Sequence, residues 1–340
     1  MCLPRPFFIF FVDNVFFLAS AGFMTLISSF SYLFNFSSKV MKRVNIGGHV
    51  SLAVAALIFL WLGLISSWNS GPLYLSAAVS AFIAHNDFQT ALDQSYGFFD
   101  NINQGDWQKM KERIQSTPDC AVNCEASGAA AWYQSNWEPA FTCQHERRVG
   151  RWGDGGKWVC DPYRITTNKQ SCLVYSVGSY NDFSFEEGVW LDVSPECEVH
   201  TFDPTIGEQP SNLPVGKNIH FHPWGLASQD EGSYKTLPSI IKELGHTGRE
   251  IDIFKIDCEG CEWDTYKSWF DGNTIIRQIQ VEVHWGTEGA PPTSAQNFML
   301  FLKSKGYVIF HKEPNIQSGG GSCIEYAFLL LNLENGHDVR

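Results

Sequence analysis

The sequence predicts an α/β protein: a Rossmann-like, mainly parallel seven-stranded sheet with helices on both faces, preceded by a transmembrane helix. Three observations carry this expectation. Beyond Ser171, short apolar segments alternate with segments of helical apolar spacing, as in βαβ units. The predicted strands end on polar residues or glycine, as they do where an open sheet binds ligand at its carboxyl edge. Val50 to Trp68 is an uninterrupted apolar run of membrane-spanning length.

The strands read, in order, Leu173 to Val177, Glu198 to Phe202, Ile219 to His222, Ile251 to Ile256, Ile279 to Val283, Tyr307 to Phe310 and Tyr326 to Leu331. Between them, Ser184-x-x-Glu187 has capping-box spacing. Leu237, Ile240, Ile241 and Leu244 form an apolar stripe stopped by Gly245, and Ser294 opens a helix carrying Phe298, Phe301 and Leu302 before Gly306. Upstream, residues 69–118 read as a helical stem with Phe99, Ile102, Met110 and Ile114 at loosely helical spacing, packed onto the α/β domain of residues 119–340. Residues 117–170 look irregular. They include the glycine-rich run Gly150 to Trp158, which lacks the Lys-Ser/Thr ending of a phosphate loop and reads as a tight turn or as a lid on the cofactor side.

With 44% hydrophobic residues in 340, a packed core is expected rather than disorder. The net charge is −12, yet residues 1–68 are basic, with Arg5, Lys39, Lys42 and Arg43 against Asp13; the acidic body argues against nucleic acid as a partner. Lys39, Lys42 and Arg43 precede the apolar run at 50–68, so the positive-inside rule predicts a type II single-pass protein whose catalytic domain faces the Golgi or endoplasmic-reticulum lumen. A cleaved signal peptide is the competing reading, although the run exceeds the usual signal core of about 7–15 residues. The earlier stretch Phe7 to Phe36 is broken by Asp13 and Asn14 and followed by Met41-Lys-Arg, which reads as an upstream extension of residues 1–40 or as a second membrane helix. Nine of the ten cysteines follow the anchor, which fits a disulfide-permissive compartment; for Cys120, Cys124, Cys143 and Cys160 disulfides are favoured over zinc.

The strand ends hold the candidate chemistry. Gly178 ends the first strand before Asn181 and Asp182, where a residue without Cβ lets backbone approach a ligand. Asp203 ends the second, at a separation that suits an acidic partner for ribose hydroxyls. No Gly-x-Gly-x-x-Gly follows Gly178, so pyrophosphate binding is disfavoured. S-adenosylmethionine has a ribose without phosphate, and its sulfonium and amino groups suit an acidic loop.

Val174-Tyr-Ser-Val-Gly178, Cys197-Glu-Val-His-Thr-Phe-Asp203-Pro204, His222-Pro-Trp-Gly-Leu-Ala227 and above all Asp252-Ile-Phe-Lys255-Ile-Asp257-Cys-Glu259-Gly260-Cys-Glu262-Trp263 resemble the FkbM-like and methyltransferase-like protein 24 type of methyltransferase. The resemblance covers about residues 143–331 and implies a class I methyltransferase fold whose last hairpin brings one antiparallel strand. It implies that Gly178 and Asp203 line the cofactor site, that Trp224, Gly225 and Leu226 border the adenine, and that Asp257 faces the methionine end or the acceptor. The sequence departs from the broader pattern in lacking a second glycine in the first loop, and in placing Cys258 and Cys261 around Glu259-Gly260; redox chemistry at that pair is the lesser reading.

The expected activity is O-methylation of a glycan or small hydroxylated molecule, with His284 as general base beside Asp257 and Glu259. The alternative for His284 is a packed ring hydrogen-bonded to a carboxylate. Asp257, Glu259, Glu282 and His284 also form a donor set for a divalent cation, a lesser alternative to a metal-free site; His220 and His222 read as structural. A Golgi glycosyltransferase and a non-catalytic lumenal binding protein are the other classes.

Overall fold

The computed structural model describes residues 9–12, 15–18, 89–120, 132–133, 135–167, 172–207, 210–284, 292–315 and 323–333. The chain divides into two units, Met1–Ala84 and His85–Arg340. In the first, β1 (Ile9–Val12) and β2 (Val15–Leu18) pair antiparallel, so over these residues the stretch read as a second membrane helix is extended. The expected transmembrane segment at 50–68 lies outside the described residues, among which no helix is long and apolar enough to cross a membrane.

The second unit opens with α1 (Gln89–Gln94) and α2 (Gln104–Ser116). Helix α2 starts where the Asn103 side chain accepts the backbone N–H of Asp106 at 2.9 Å, satisfying one of the donors a helix start leaves unpaired. Phe99 and Ile102 lie between the two helices rather than inside one. Together with Trp107 they bury against Phe141 and against Val308, Phe310 and Leu329 of the sheet, so residues 89–116 share its core.

Residues 117–170 are not wholly irregular: β3 (Glu146–Val149) and β4 (Lys157–Cys160) form an antiparallel hairpin around the glycine-rich run, followed by α3 (Pro162–Ile165). Four-residue strands, one of them Glu-Arg-Arg-Val, leave too little alternation to read as β. Then come β5 (Cys172–Val177), α4 (Ser184–Gly188), β6 (Cys197–Phe202), β7 (Ile219–His222), the short pair β8 (Gly225–Leu226) and β9 (Tyr234–Lys235), α5 (Leu237–Glu243), β10 (Ile251–Ile256), α6 (Cys261–Thr265), β11 (Ile276–His284), α7 (Pro292–Ser304), β12 (Tyr307–Asn315) and β13 (Cys323–Leu330). The capping box at Ser184 does not form: Phe183 takes the N-cap, and Asp182 Oδ1 accepts the Ser184 N–H at 3.0 Å. Helix α7 begins at Pro292, before the expected Ser294, because proline at the first turn surrenders only an N–H that has no partner there.

Seven strands form one sheet in the order β12-β13-β11-β10-β5-β6-β7, parallel except for β13. Side chains alternate along β11 and divide the sheet into two faces. Ile279, Val281 and Val283 join Phe298, Met299, Tyr266 and Trp269 in the main apolar core. Gln278, Gln280, Glu282 and His284 point to the other face, where β4 lies; Gln278 exchanges two 2.9 Å hydrogen bonds with the backbone of Cys160. Disulfides Cys143–Cys160 and Cys172–Cys197 tie the hairpin and the starts of β5 and β6, and Cys258–Cys261 closes the turn into α6.

Candidate active site

The chain runs β5, β6, β7 to one side and returns to β10 on the other, so β5 and β10 flank the topological switch point, where open α/β sheets bind ligand. Their ends interlock. Asp257 N–H donates to the Val177 carbonyl at 3.0 Å, and Gly178 N–H to the Phe202 carbonyl at 2.9 Å. Gly178 has φ +77°, and a Cβ there would lie 1.6 Å from the Asp257 carbonyl oxygen. The crossing of two protein backbones therefore already requires glycine here.

After Gly178 the chain turns through Tyr180 (φ 44°) and Asn181 (φ 62°), both left-handed, leaving the Tyr180 ring 88% exposed. Asp203 holds this turn. Its Oδ2 accepts the N–H groups of Ser179 and Tyr180 at 3.0 and 2.7 Å, and its Oδ1 accepts the N–H and hydroxyl of Thr205 at 2.8 and 2.6 Å. Burial pushes the carboxyl up, but these donors outweigh it and hold the group below its ordinary range. With both oxygens engaged, Asp203 shapes the turn rather than presenting lone pairs to a ribose. Asp182 is tied to the glycine-rich loop by an ion pair with Arg151 Nε at 3.0 Å, which places that loop on this side of the sheet.

Lys157, carried in by β4, is 2% exposed and sits among three carboxylates: Asp257 Oδ2 at 3.0 Å, Glu325 Oε1 at 2.5 Å and Glu282 Oε2 at 3.8 Å. Burial opposes its charge, but Asp257, Glu325 and Glu282 hold the ammonium above its usual range. Asp257 is correspondingly depressed: burial raises it, while Lys157 and Lys255 bring it well below the carboxylate norm. Glu282, which accepts from Asn315 at 2.9 Å, is pushed up to about 8 by burial and by the charges of Glu325 and Asp257.

His284 is 2% exposed and lies 3.9 Å from Asp257 Oδ1 and 3.6 Å from Glu259 Oε2, whose side chain is otherwise in solvent. Glu262 Oε1 faces His284 Nδ1 at 3.0 Å. Burial alone would lower the imidazole; the Glu262 hydrogen bond and the negative charges of Glu262, Glu282 and Asp257 reverse this and raise it to about 9. These surroundings favour the imidazolium over the near-neutral ring expected from sequence. Donor atoms of Asp257, Glu259 and His284, and of Asp154, Asp257 and Glu282, come within 4.8 Å of one another. A divalent cation there would have to displace Lys157 and the imidazolium proton, which already neutralise these carboxylates.

Trp224 is half-buried, stacked on His222 with centroids 4.6 Å apart and capped by Lys235 Nζ at 4.4 Å. Leu226 is 4% exposed and belongs to the main core. Gly225 is pressed against Tyr234, whose ring a Cβ would meet at 2.5 Å. His220 and His222 lie beside His200 on the β6–β7 edge.

The structure thus brings Gly178, Asn181, Asp182 and Asp203 together in one turn and Asp257, Glu259, Glu282 and His284 in one charged cluster. Sequence reasoning missed Lys157, Glu325 and Glu262. Lys157 stands 100 residues before its partner Asp257 in a hairpin that went unread. Glu262 had a signal, since a helix start just past Asp257 places it within reach of the next strand's end.

The model of a protein family described as "Methyltransferase domain" matches residues 89–330. No curated protein matches the chain in sequence. Among solved structures, the fibrillarin pre-rRNA processing protein of Methanococcus jannaschii is 9% identical over 48% of this chain and 67% of its own, with a TM-score of 0.33. The 1,6-didemethyltoxoflavin-N1-methyltransferase of Burkholderia thailandensis, solved with S-adenosylhomocysteine, is 10% identical over 47% and 72%, with a TM-score of 0.31. An N-methyltransferase of Bradyrhizobium japonicum is 10% identical over 47% and 85%, with a TM-score of 0.27.

Proposed function

Because the chain belongs to the methyltransferase-domain family, whose model matches residues 89–330, we propose that it is an S-adenosylmethionine-dependent O-methyltransferase of the FkbM-like and methyltransferase-like protein 24 type, acting on a glycan or small hydroxylated acceptor. The observation that supports this best is the charge at the switch point. Asp182, Asp257 and Glu259 gather there, while Lys157 and Lys255 are engaged by Asp257 and by the Gly178 carbonyl. Arg151, Lys157 and Lys255 are thus already engaged by the site's own acids and backbone, which disfavours a pyrophosphate, whereas S-adenosylmethionine carries no phosphate that would call for them.

S-adenosylmethionine supplies an already activated methyl group, so the protein's task is chiefly placement, worth up to about 7–11 kcal/mol in well-oriented systems. The Gly178 to Asp182 turn and Trp224 hold the nucleoside in this reading. Asp257 and Glu259 orient the acceptor. His284 takes the acceptor hydroxyl's proton, for which its ring must be neutral; that form prevails above about 9, and a cation placed beside the ring populates it at lower pH. The described disulfides accord with a lumenal domain of a type II membrane protein.

The test is to titrate the full chain with S-adenosylmethionine and with nucleotide-sugars, then to incubate it with labelled S-adenosylmethionine and a cell lysate and identify what becomes methylated. Label on an acceptor oxygen supports the reading, and preference for a sugar nucleotide rejects it in favour of glycosyl transfer. His284→Ala should lower turnover with little effect on cofactor affinity; wild-type turnover would dismiss the base.

A further inference from the structure

We propose that Glu198, His200 and His220 form a binding site for a divalent transition-metal ion of the zinc class, on the sheet face opposite Lys157. Glu198 and His200 are two apart on β6 and share a face, and His220 stands opposite His200 in the parallel register of β7. The rings of His200 and His220 stack at 4.9 Å between centroids, and one donor atom from each of the three residues lies within 4.8 Å of the others. Two imidazoles and a carboxylate are a donor set suited to zinc, and three protein ligands leave a fourth tetrahedral position for water.

The outer partners are in place. The Asn218 side-chain oxygen pairs with His220 Nε2 at 2.8 Å; an amide oxygen can only accept, so Nε2 carries the proton and Nδ1 keeps a lone pair to give. His222 Nε2 lies 2.8 Å from His200 Nδ1, which leaves His200 Nε2 facing Glu198 Oε1 at 3.0 Å. Arg249 Nη1 holds the other Glu198 oxygen at 2.7 Å, and His246 Nε2 stands 3.3 Å from Oε1. A bound ion takes the place of the proton between His200 Nε2 and Glu198, and the ring stays neutral by carrying its proton on Nδ1 instead, hydrogen-bonded to His222 Nε2. His200 is buried, but His220 is exposed and Glu198 partly so, which gives an ion a way in.

Such an ion would cross-link edge strand β7 to β6. Through His222, whose ring stacks on both His200 and Trp224, it would also stiffen the wall next to the switch point. The proposal stands apart from the methyltransferase reading, since none of its ligands belongs to the charged cluster around Lys157.

The full-length protein, stripped with chelator, is titrated with Zn²⁺ by calorimetry, and its thermal unfolding is followed with and without the ion. One equivalent should bind saturably and raise Tm by mass action. His220→Asn should abolish this, and Asn218→Ala should weaken it by about 10-fold or more, as loss of a histidine's outer partner does. Both positions are exposed, so circular dichroism should match the wild type. Glu259→Gln should bind zinc like the wild type. No saturable binding, unchanged binding in His220→Asn, or loss in Glu259→Gln instead would each overturn the site and leave Glu198 as a hydrogen-bonded anchor for histidines and Arg249.

Discussion

Glu262 grips His284 twice with one oxygen: Oε1 accepts the His284 backbone N–H at 2.9 Å and faces the ring Nδ1 at 3.0 Å. The carboxylate is fully buried, and its other oxygen accepts the Gly260 N–H at 3.0 Å. A side chain on α6 thus fixes both the end of β11 and the protonation of the residue that terminates it.

Glu262→Gln keeps an acceptor for the backbone N–H but removes the charge. His284 should then fall from about 9 toward its ordinary value near 6.5, because burial opposes the imidazolium and its largest support is gone. Histidine ring shifts followed by NMR against pH check this. In the wild type, methyl transfer should rise with pH through an apparent value near 9, and in the variant that limb should move to lower pH.

Glu282 contributes stability that declines as pH rises from 4.5 to about 8. Its carboxyl is pushed from 4.5 up to about 8, so the folded chain keeps a proton that the unfolded chain gives up. The associated stability is fully present below 4.5 and is lost as pH rises through about 8. His284 acts in the same sense at higher pH, between 6.5 and about 9. Urea unfolding across pH 4.5 to 8 should show a decline in the wild type that is shallower in Glu282→Gln.

Lys157→Met leaves Asp257, Glu282 and Glu325 facing one another without their cation. Breaking a buried ion pair from one side costs about 3–5 kcal/mol. Denaturant unfolding should show a loss of about that size, part of which returns in Lys157→Met with Glu325→Leu. A loss below about 1 kcal/mol would mean that Asp257 does not depend on Lys157 as its counter-ion.

Two glycines with left-handed backbone should respond differently to alanine. At Gly245 (φ +73°) no atom lies within 4 Å of the added Cβ, so the cost is the conformational one of about 1–2 kcal/mol. At Gly178 the Cβ meets the Asp257 carbonyl at 1.6 Å, and the β5 and β10 ends must part. Denaturant unfolding should show Gly245→Ala folded with a modest loss and Gly178→Ala destabilised by about 4 kcal/mol or more, or unfolded.

The sheet was legible in the sequence because its strands are apolar runs ended by glycine or acid, and β10 was read at its observed bounds, Ile251–Ile256. β11 was read short, since Arg277 and Gln278 look polar; Gln278 faces β4 and is buried there. Positions at the site were legible for the same reason as the strands, because chemistry gathers where strands end. Roles were less so. Asp203 resembles a ribose ligand by spacing, yet its partners are Ser179, Tyr180 and Thr205, which only the folded turn brings to it. His284 looked like a neutral base because Glu262 and Glu282 act on it through space.

Lys157 enters the sheet's carboxyl edge from a hairpin that precedes β5 in the chain. A minimal fragment cut at Cys172 would hold every strand of the seven-stranded sheet and still lack the counter-ion for three of its own acids. The family match, residues 89–330, spans the hairpin as well, so the sheet alone is not expected to fold as a free-standing module. Chimeras that exchange it for a relative's should succeed only when the hairpin travels with it.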